Sequence, residues 1–160
     1  MHSYSRIKPE VSRYRAWQND EMYLRDKPII GTVDPQTNKI FLTPCWYADS
    51  KHIFSHLKRV ITKWKKKPRG WWTDEWKATI KAFDMLDDIP HGTVKHSKWE
   101  FMNSKGITTN AIENIWRQLR RWLHRKNGLK HCAYVDFYVD LFEAKYNAIK
   151  DPMTMIDMLF

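Results

Sequence analysis

Two cysteines, Cys45 and Cys132, are all the thiol this chain carries. They are too few for a zinc site of four thiolates and read as free thiols of a reducing cytosol. No apolar run approaches the roughly 18 residues of a membrane span, and the N-terminus MHSYSRIKPE has no apolar signal-peptide core. No Ser–His or Cys–His constellation offers a nucleophile. No HExxH glutamate accompanies His52 and His56, so that pair is expected on a helix surface. Internal repeats and low-complexity linkers are also missing. At 160 residues the chain suits one domain spanning 1–160, with residues 1–15 as a polar extension too short to fold alone.

Acid is scarce as well: 18 Asp plus Glu face 28 Lys plus Arg, a formal charge of +10. Nine tryptophans and seven tyrosines accompany that charge. Base and aromatic together point to a polyanion with stackable groups, which is nucleic acid, although tryptophan also serves plain core packing. Trp71 and Trp72 are assigned to sheet packing on that ground.

The pattern changes period along the chain. Residues 17–24, 28–33 and 39–43 read as three strands joined by tight turns, an antiparallel meander, with Pro28 allowed at a strand's first position. Residues 50–64 place Ile53, Phe54, Leu57, Val60, Ile61 and Trp64 on one helical face, ending in a basic run broken by Pro68 and Gly70. A short strand over 70–73, a helix over 75–86 and a strand over 93–96 follow. Two helices close the chain: 108–127, with Ile112, Ile115, Trp116, Leu119, Trp122 and Leu123 at 3.6-residue spacing, and 131–149, with Tyr134, Val135, Tyr138, Leu141, Phe142 and Tyr146 inward. This order predicts an α/β layered fold with one mixed five-stranded sheet flanked by helices.

Three acids stand where chemistry can use them. Asp20 lies within the first strand, Asp74 at the end of the fourth, and Glu113 at the margin of the apolar face of the 108–127 helix, among Arg117, Arg120, Arg121 and Arg125. If strands one and four are neighbours, Asp20 and Asp74 converge and the helix lowers Glu113 between them. Three crowded carboxylates repel unless cations intervene, and magnesium or manganese is the hard, oxygen-seeking occupant. The rival reading of Glu113 is a solvated helix acid paired with Arg117 at i+4. Asp34 is the alternative first acid, but its Pro-Gln-Thr-Asn setting explains it by turn chemistry. Glu21 and Glu75, each beside a candidate acid, are expected to point to the opposite face and to be structural.

WQNDEM around Asp20, GWWTDEW around Asp74, HGTVKHS around His96 and TTNAIENIWRQLRR around Glu113 together resemble the DDE transposase/integrase superfamily. Within it they are most similar to insertion-sequence transposases of bacteria and archaea and the eukaryotic Merlin-like group. The resemblance spans roughly residues 16–147. It implies an RNase H-like catalytic core with two Mg2+ or Mn2+ ions held by Asp20, Asp74 and Glu113, and strand cleavage and transfer in DNA transposition. It also implies DNA as partner, a homodimer or larger assembly when two ends are joined, and a cytoplasmic, nucleoid-associated location, or a nuclear one in a eukaryote. Lys65, Lys66, Lys67, Arg69, His96, Arg117, Arg120, Arg121 and Arg125 are then expected to contact DNA. Relatives usually carry an N-terminal end-recognition module, which residues 1–15 cannot form. Two rivals stand beside this reading: an inactive DNA-binding derivative of a transposase, and a structure-specific nuclease.

Overall fold

A computed structural model describes residues 16–86, 88–95, 108–125 and 134–148. The extension 1–15, His96 and Cys132 lie outside these. Five strands form one sheet: β1 (Trp17–Leu24), β2 (Lys27–Asp34), β3 (Lys39–Pro44), β4 (Trp71–Asp74) and β5 (His91–Val94). Their spatial order is β3-β2-β1-β4-β5. The first three pair antiparallel, while β4 runs parallel to both β1 and β5. The sheet is therefore mixed, with β1 and β4 adjacent.

Among the described residues four helices cover its two faces: α1 (Ser50–Trp64), α2 (Lys77–Asp84), α3 (Asn110–Arg125) and α4 (Val135–Ala148). Strand alternation divides the core between them. Met22, Ile29, Val33, Ile40 and Leu42 pack with Ile112, Ile115, Leu119, Val139 and Phe142 of α3 and α4. Trp17, Ile30, Phe41 and Trp71 pack on the other face with Ile53, Leu57, Val60 and Phe83 of α1 and α2. Trp71 and Trp72 are both fully buried in the sheet.

Local chemistry fixes the ends. Asp49 caps α1, its Oδ1 accepting the His52 amide at 2.9 Å. Lys65 closes that helix at φ 55° and Pro68 follows, so the chain cannot continue as helix. Asn38 takes a left-handed φ of 61° in the turn before β3, a conformation asparagine tolerates. The outer edge of β3 is covered by α4: Asn147 pairs with both the N–H and the C=O of Ile40 at 2.9 Å, and Glu143 accepts the Leu42 amide at 2.6 Å. Satisfied this way, the edge offers no template for another strand.

Three expectations need correction. The fifth strand begins at His91, not residue 93, because it registers with Trp71 from its first residue. On α4, Val135 and Phe142 are buried and Tyr138 and Tyr146 pack against the core as expected, but Val139 and Ala148 are buried too and Tyr134 is 58% exposed. His56 is not on a helix surface. It is 1% exposed beneath the sheet, bonded to Thr32 and Thr43.

Candidate metal centre

Register places the acids. Asp20 stands on the α3 face of β1, between Gln18 and Met22, which share that face. Gln18 reaches up and accepts the amides of Ala111 and Ile112 at 2.8 and 3.2 Å, satisfying two of the orphan donors that open α3. Two residues along the strand, Asp20 Oδ2 accepts the indole N–H of Trp116 at 3.0 Å. Helix α3 is therefore pinned to β1 at two points. Glu113 sits between them in the helix and lines the same cleft as Asp20.

Registered pairing between β1 and β4 stops after Gln18 and Trp72. Asp20 and Asp74 each lie two residues beyond that last pair, and Glu21 reaches the same place from the α2 side of the sheet. Its Oε1 accepts the Thr79 hydroxyl of α2 at 3.0 Å, and a carboxylate oxygen from each of Asp20, Glu21 and Asp74 falls within 4.8 Å of the others. Among the described residues this is the one cluster of three such groups. Two of the three expected acids thus converge, and the third member of the close cluster is Glu21, not Glu113. Glu21 does leave the strand on the opposite face, as its position dictates and its bond to Thr79 of α2 shows, yet past the end of the β1–β4 ladder its carboxylate still comes within 4.8 Å of the other two.

The electrostatics follow from crowding. Burial, then the Asp74 charge, push Asp20 from 3.8 to about 7, against hydrogen bonds from the Glu21 backbone and Trp116; Glu113 adds to the rise. Burial, then Asp20 and Asp74, hold Glu21 well above its usual range despite the Thr79 bond. A cluster that retains protons near neutrality is one that a cation would discharge. The donors are all hard oxygens, the set that suits Mg2+ or Mn2+.

The cleft that Asp20 and Glu21 line encloses about 890 Å³; Asn110, Arg117 and Arg120 line it from α3 and Tyr23 from β1. Arg121 and Arg125 are exposed farther along the same helix. The basic run lies elsewhere. Lys65–Arg69 precede β4, and the Trp17 amide bonds Gly70 O at the strand's entry. The acids sit at its exit, a strand length of about 10 Å away. Lys66 is paired with buried Asp34 at 3.0 Å and Lys67 with Asp88. Asp34 is thus held at the far end of the sheet. Burial would raise its pKa, but bonds from Lys66, Thr37 and the Gln36 amide bring it below 3.8. Glu75 pairs with Lys95 at 3.9 Å on the surface. His96 lies outside the described residues.

No protein-family model matches the sequence, and no curated protein sequence does. Solved structures share its fold. The HTLV-2 integrase catalytic core domain in complex with magnesium, in its trimeric form, superposes with a TM-score of 0.58 at 16% identity, over 84% of this chain and 86% of that one. The BIV integrase catalytic core domain gives 0.60 at 12% identity, over 82% of each chain. A simian T-cell lymphotropic virus intasome in complex with PP2A regulatory subunit B56 gamma gives 0.59 at 16%, over 87% of this chain and 50% of that one. The fold is that of integrase catalytic cores, an RNase H-like mixed sheet between helices.

Proposed function

We propose that this protein is a divalent-metal-dependent polynucleotidyl transferase of the DDE transposase type, cleaving DNA strands and joining them in transposition. The observation that carries the reading is the convergence of Asp20, Glu21 and Asp74 within 4.8 Å, two of which, Asp20 and Glu21, line a cleft together with Glu113, Arg117 and Arg120. Acid and base so divided suit a phosphodiester: the carboxylates hold cations, and the arginines hold the strand's phosphates.

Asp20 and Asp74 would hold the Mg2+ or Mn2+ ions, with Glu113 from above and Glu21 from below. Bound there, two such ions activate a water or 3′-hydroxyl and stabilise the departing oxygen. The chain's own part is positioning. Trp116 fixes one oxygen of Asp20, Gln18 fixes the start of α3 and hence Glu113, and Thr79 fixes Glu21. No side chain is asked to form a covalent bond, in keeping with a reaction governed by orientation and charge. Within the superfamily the proposal extends to the insertion-sequence and Merlin-like transposases, which the four segments WQNDEM, GWWTDEW, HGTVKHS and TTNAIENIWRQLRR together most resemble. Joining two DNA ends calls for at least two copies, and the location would follow the DNA.

The test is nicking of supercoiled plasmid by the wild type and by Asp74→Asn, in magnesium and in manganese. Nicking by the wild type alone, abolished by chelator, is the expected result. Equal nicking by both proteins would end the assignment, and nicking by neither, with DNA binding kept, would favour the inactive derivative.

A further inference from the structure

Beneath the sheet, on the face away from the cleft, a line of polar side chains crosses three strands. Thr43 of β3, His56 of α1, Thr32 of β2 and Asn19 of β1 succeed one another, and the line ends at Glu21. The contacts are Thr43 Oγ1 to His56 Nδ1 at 2.7 Å, His56 Nε2 to Thr32 Oγ1 at 2.8 Å, Thr32 Oγ1 to Asn19 Oδ1 at 2.7 Å, and Asn19 Nδ2 to Glu21 Oε1 at 3.5 Å. Asn19 and Thr32 are direct partners across the β1–β2 ladder. Both are wholly buried, and His56 is 1% exposed.

Hydrogen counting gives this line a direction. Thr32 has one hydroxyl hydrogen and gives it to Asn19 Oδ1, so His56 Nε2 must be the donor in its contact with Thr32. Burial, with Arg59 nearby, keeps the imidazole neutral. Its Nδ1 is therefore bare and accepts from Thr43. The amide of Asn19, held by Oδ1 on one side, turns its NH2 toward Glu21. Every donor points the same way, and the last acceptor is a carboxylate. Polar groups this deep among Ile30, Phe41, Ile53 and Leu57 are costly, and an apolar set of similar shape would fill the space. Their arrangement is explained by what lies at its end.

We propose that this one-way chain of hydrogen bonds, from Thr43 through His56, Thr32 and Asn19, positions the Glu21 carboxylate in the acidic cluster, making His56 and Thr32 positioning residues for the reaction centre. Asn19 at 3.5 Å and Thr79 at 3.0 Å both donate to Oε1, and the carboxylate they hold has an oxygen within 4.8 Å of those of Asp20 and Asp74. The inference rests on the metal-dependent reading above.

The test uses the full chain, with Thr32→Val to remove the hydroxyl at nearly constant shape and Thr32→Ser to restore it. Manganese titration by calorimetry reads affinity, thermal melts read stability, and histidine 15N resonances read the tautomer of His56. Thr32→Val is expected to weaken manganese binding by about 10-fold or more, the usual effect of losing a group that orients a ligand. Thr32→Ser should bind as the wild type does, and His56 should carry its proton on Nε2. Should Thr32→Val fail to fold, Thr43→Val, half-buried at the far end, should release the tautomer and lower affinity in the same direction. Unchanged manganese affinity in a folded valine variant, even with a lower melting temperature, would overturn the inference alone. So would a proton on Nδ1 of His56. No manganese binding by the wild type would overturn the reading of the centre, and this inference with it.

Discussion

Gly31 stands directly across the β1–β2 ladder from Asp20, and the six-membered ring of Trp116 occupies the space its missing side chain leaves. A Cβ at position 31 would lie 2.3 Å from Trp116 Cη2 and 2.8 Å from Cζ2. This glycine is therefore what lets the indole lie flat enough to donate its N–H to Asp20 at 3.0 Å. Gly31→Ala should displace the ring, cost about 1–3 kcal/mol through overpacking, and abolish manganese-dependent nicking. Trp116→Phe isolates the hydrogen bond: stability should fall by about 1 kcal/mol and manganese affinity by about 10-fold. Calorimetry on the two variants checks this. A phenylalanine variant that binds manganese as tightly as the wild type would show that the Trp116–Asp20 bond does nothing for the centre.

A second expectation concerns pH. Asp20 and Glu143 are raised to about 7, and Glu21 well above the usual range, each chiefly by burial. The native state then binds more protons than the unfolded chain, so these groups favour folding below about pH 4; Asp20 and Glu143 lose that contribution as pH rises through 7, and Glu21 loses its own in the same direction. His56, lowered to about 3 by burial, works oppositely, its contribution being present above 6.5 and lost toward 3. Asp34, lowered by Lys66, likewise loses its contribution only in acid. Between pH 6.5 and 8 the raised carboxylates therefore act alone among these groups. Without metal, the melting temperature should fall across that window, by about 2–4 °C per kcal/mol. Manganese held by Asp20 and Glu21 as proposed would replace their protons, so the rise in melting temperature that it produces should be larger at pH 8 than at pH 6.5. An increment independent of pH would place the metal away from these two acids.

Much of this could be read along the chain because the signals are local. Three short runs, 17–24, 28–33 and 39–43, joined by tight turns mark the meander, and a place within a strand, at a strand end and at the margin of a helix's apolar face single out Asp20, Asp74 and Glu113. What escaped is non-local. Glu21 was set aside because alternation sends it to the other face; only the early end of β1–β4 pairing, a relation between distant segments, brings it back. His56 looked like the partner of His52 at i+4, although its place between Ile53 and Leu57 already put it on the buried stripe of α1. Its bonding partners, Thr32 and Thr43, come from two other strands. Trp116 belongs to the apolar stripe by its spacing, and the sign of its second role is its indole N–H, a donor three residues beyond Glu113 on the same helix, which Asp20 accepts. The basic run 65–69 read as a cluster in sequence, but Asp34 and Asp88 neutralise part of it in space.

That neutralisation bears on DNA affinity. Each phosphate contact on duplex adds about −0.9 to the slope of log affinity against log salt. Arg117 and Arg120 line the cleft, whereas Lys66 and Lys67 are already paired. Changing both arginines to Ala should flatten the slope by nearly two contacts, roughly 1.8, and weaken all sequences alike. The Lys65, Lys66 and Lys67 triple change to Ala should flatten it by less, despite removing three charges. Fluorescence anisotropy over a salt series decides between them, and a larger effect from the lysines would move the DNA path to the entry end of β4.

The last expectation separates the two glutamates. Glu21 shares the close cluster with Asp20 and Asp74, while Glu113 lines the cleft beside the arginines without joining that cluster. Glu21→Gln removes a charge from among acids that burial already penalises, so the metal-free variant should melt higher than the wild type at pH 8. It should also bind manganese about 10–100-fold more weakly, because the amide is a poorer ligand and the cluster is less negative. Glu113→Gln should leave affinity for a first manganese ion nearly intact and still lose nicking, since its charge is needed where the transferring phosphoryl group is held. Were Glu113 only a surface partner of Arg117, the change would cost well under about 1 kcal/mol and leave nicking untouched. Calorimetry, melts and plasmid nicking on both variants read these outcomes together. The reverse result, affinity lost in Glu113→Gln and kept in Glu21→Gln, would return the third ligand to the helix and make Glu21 a structural acid.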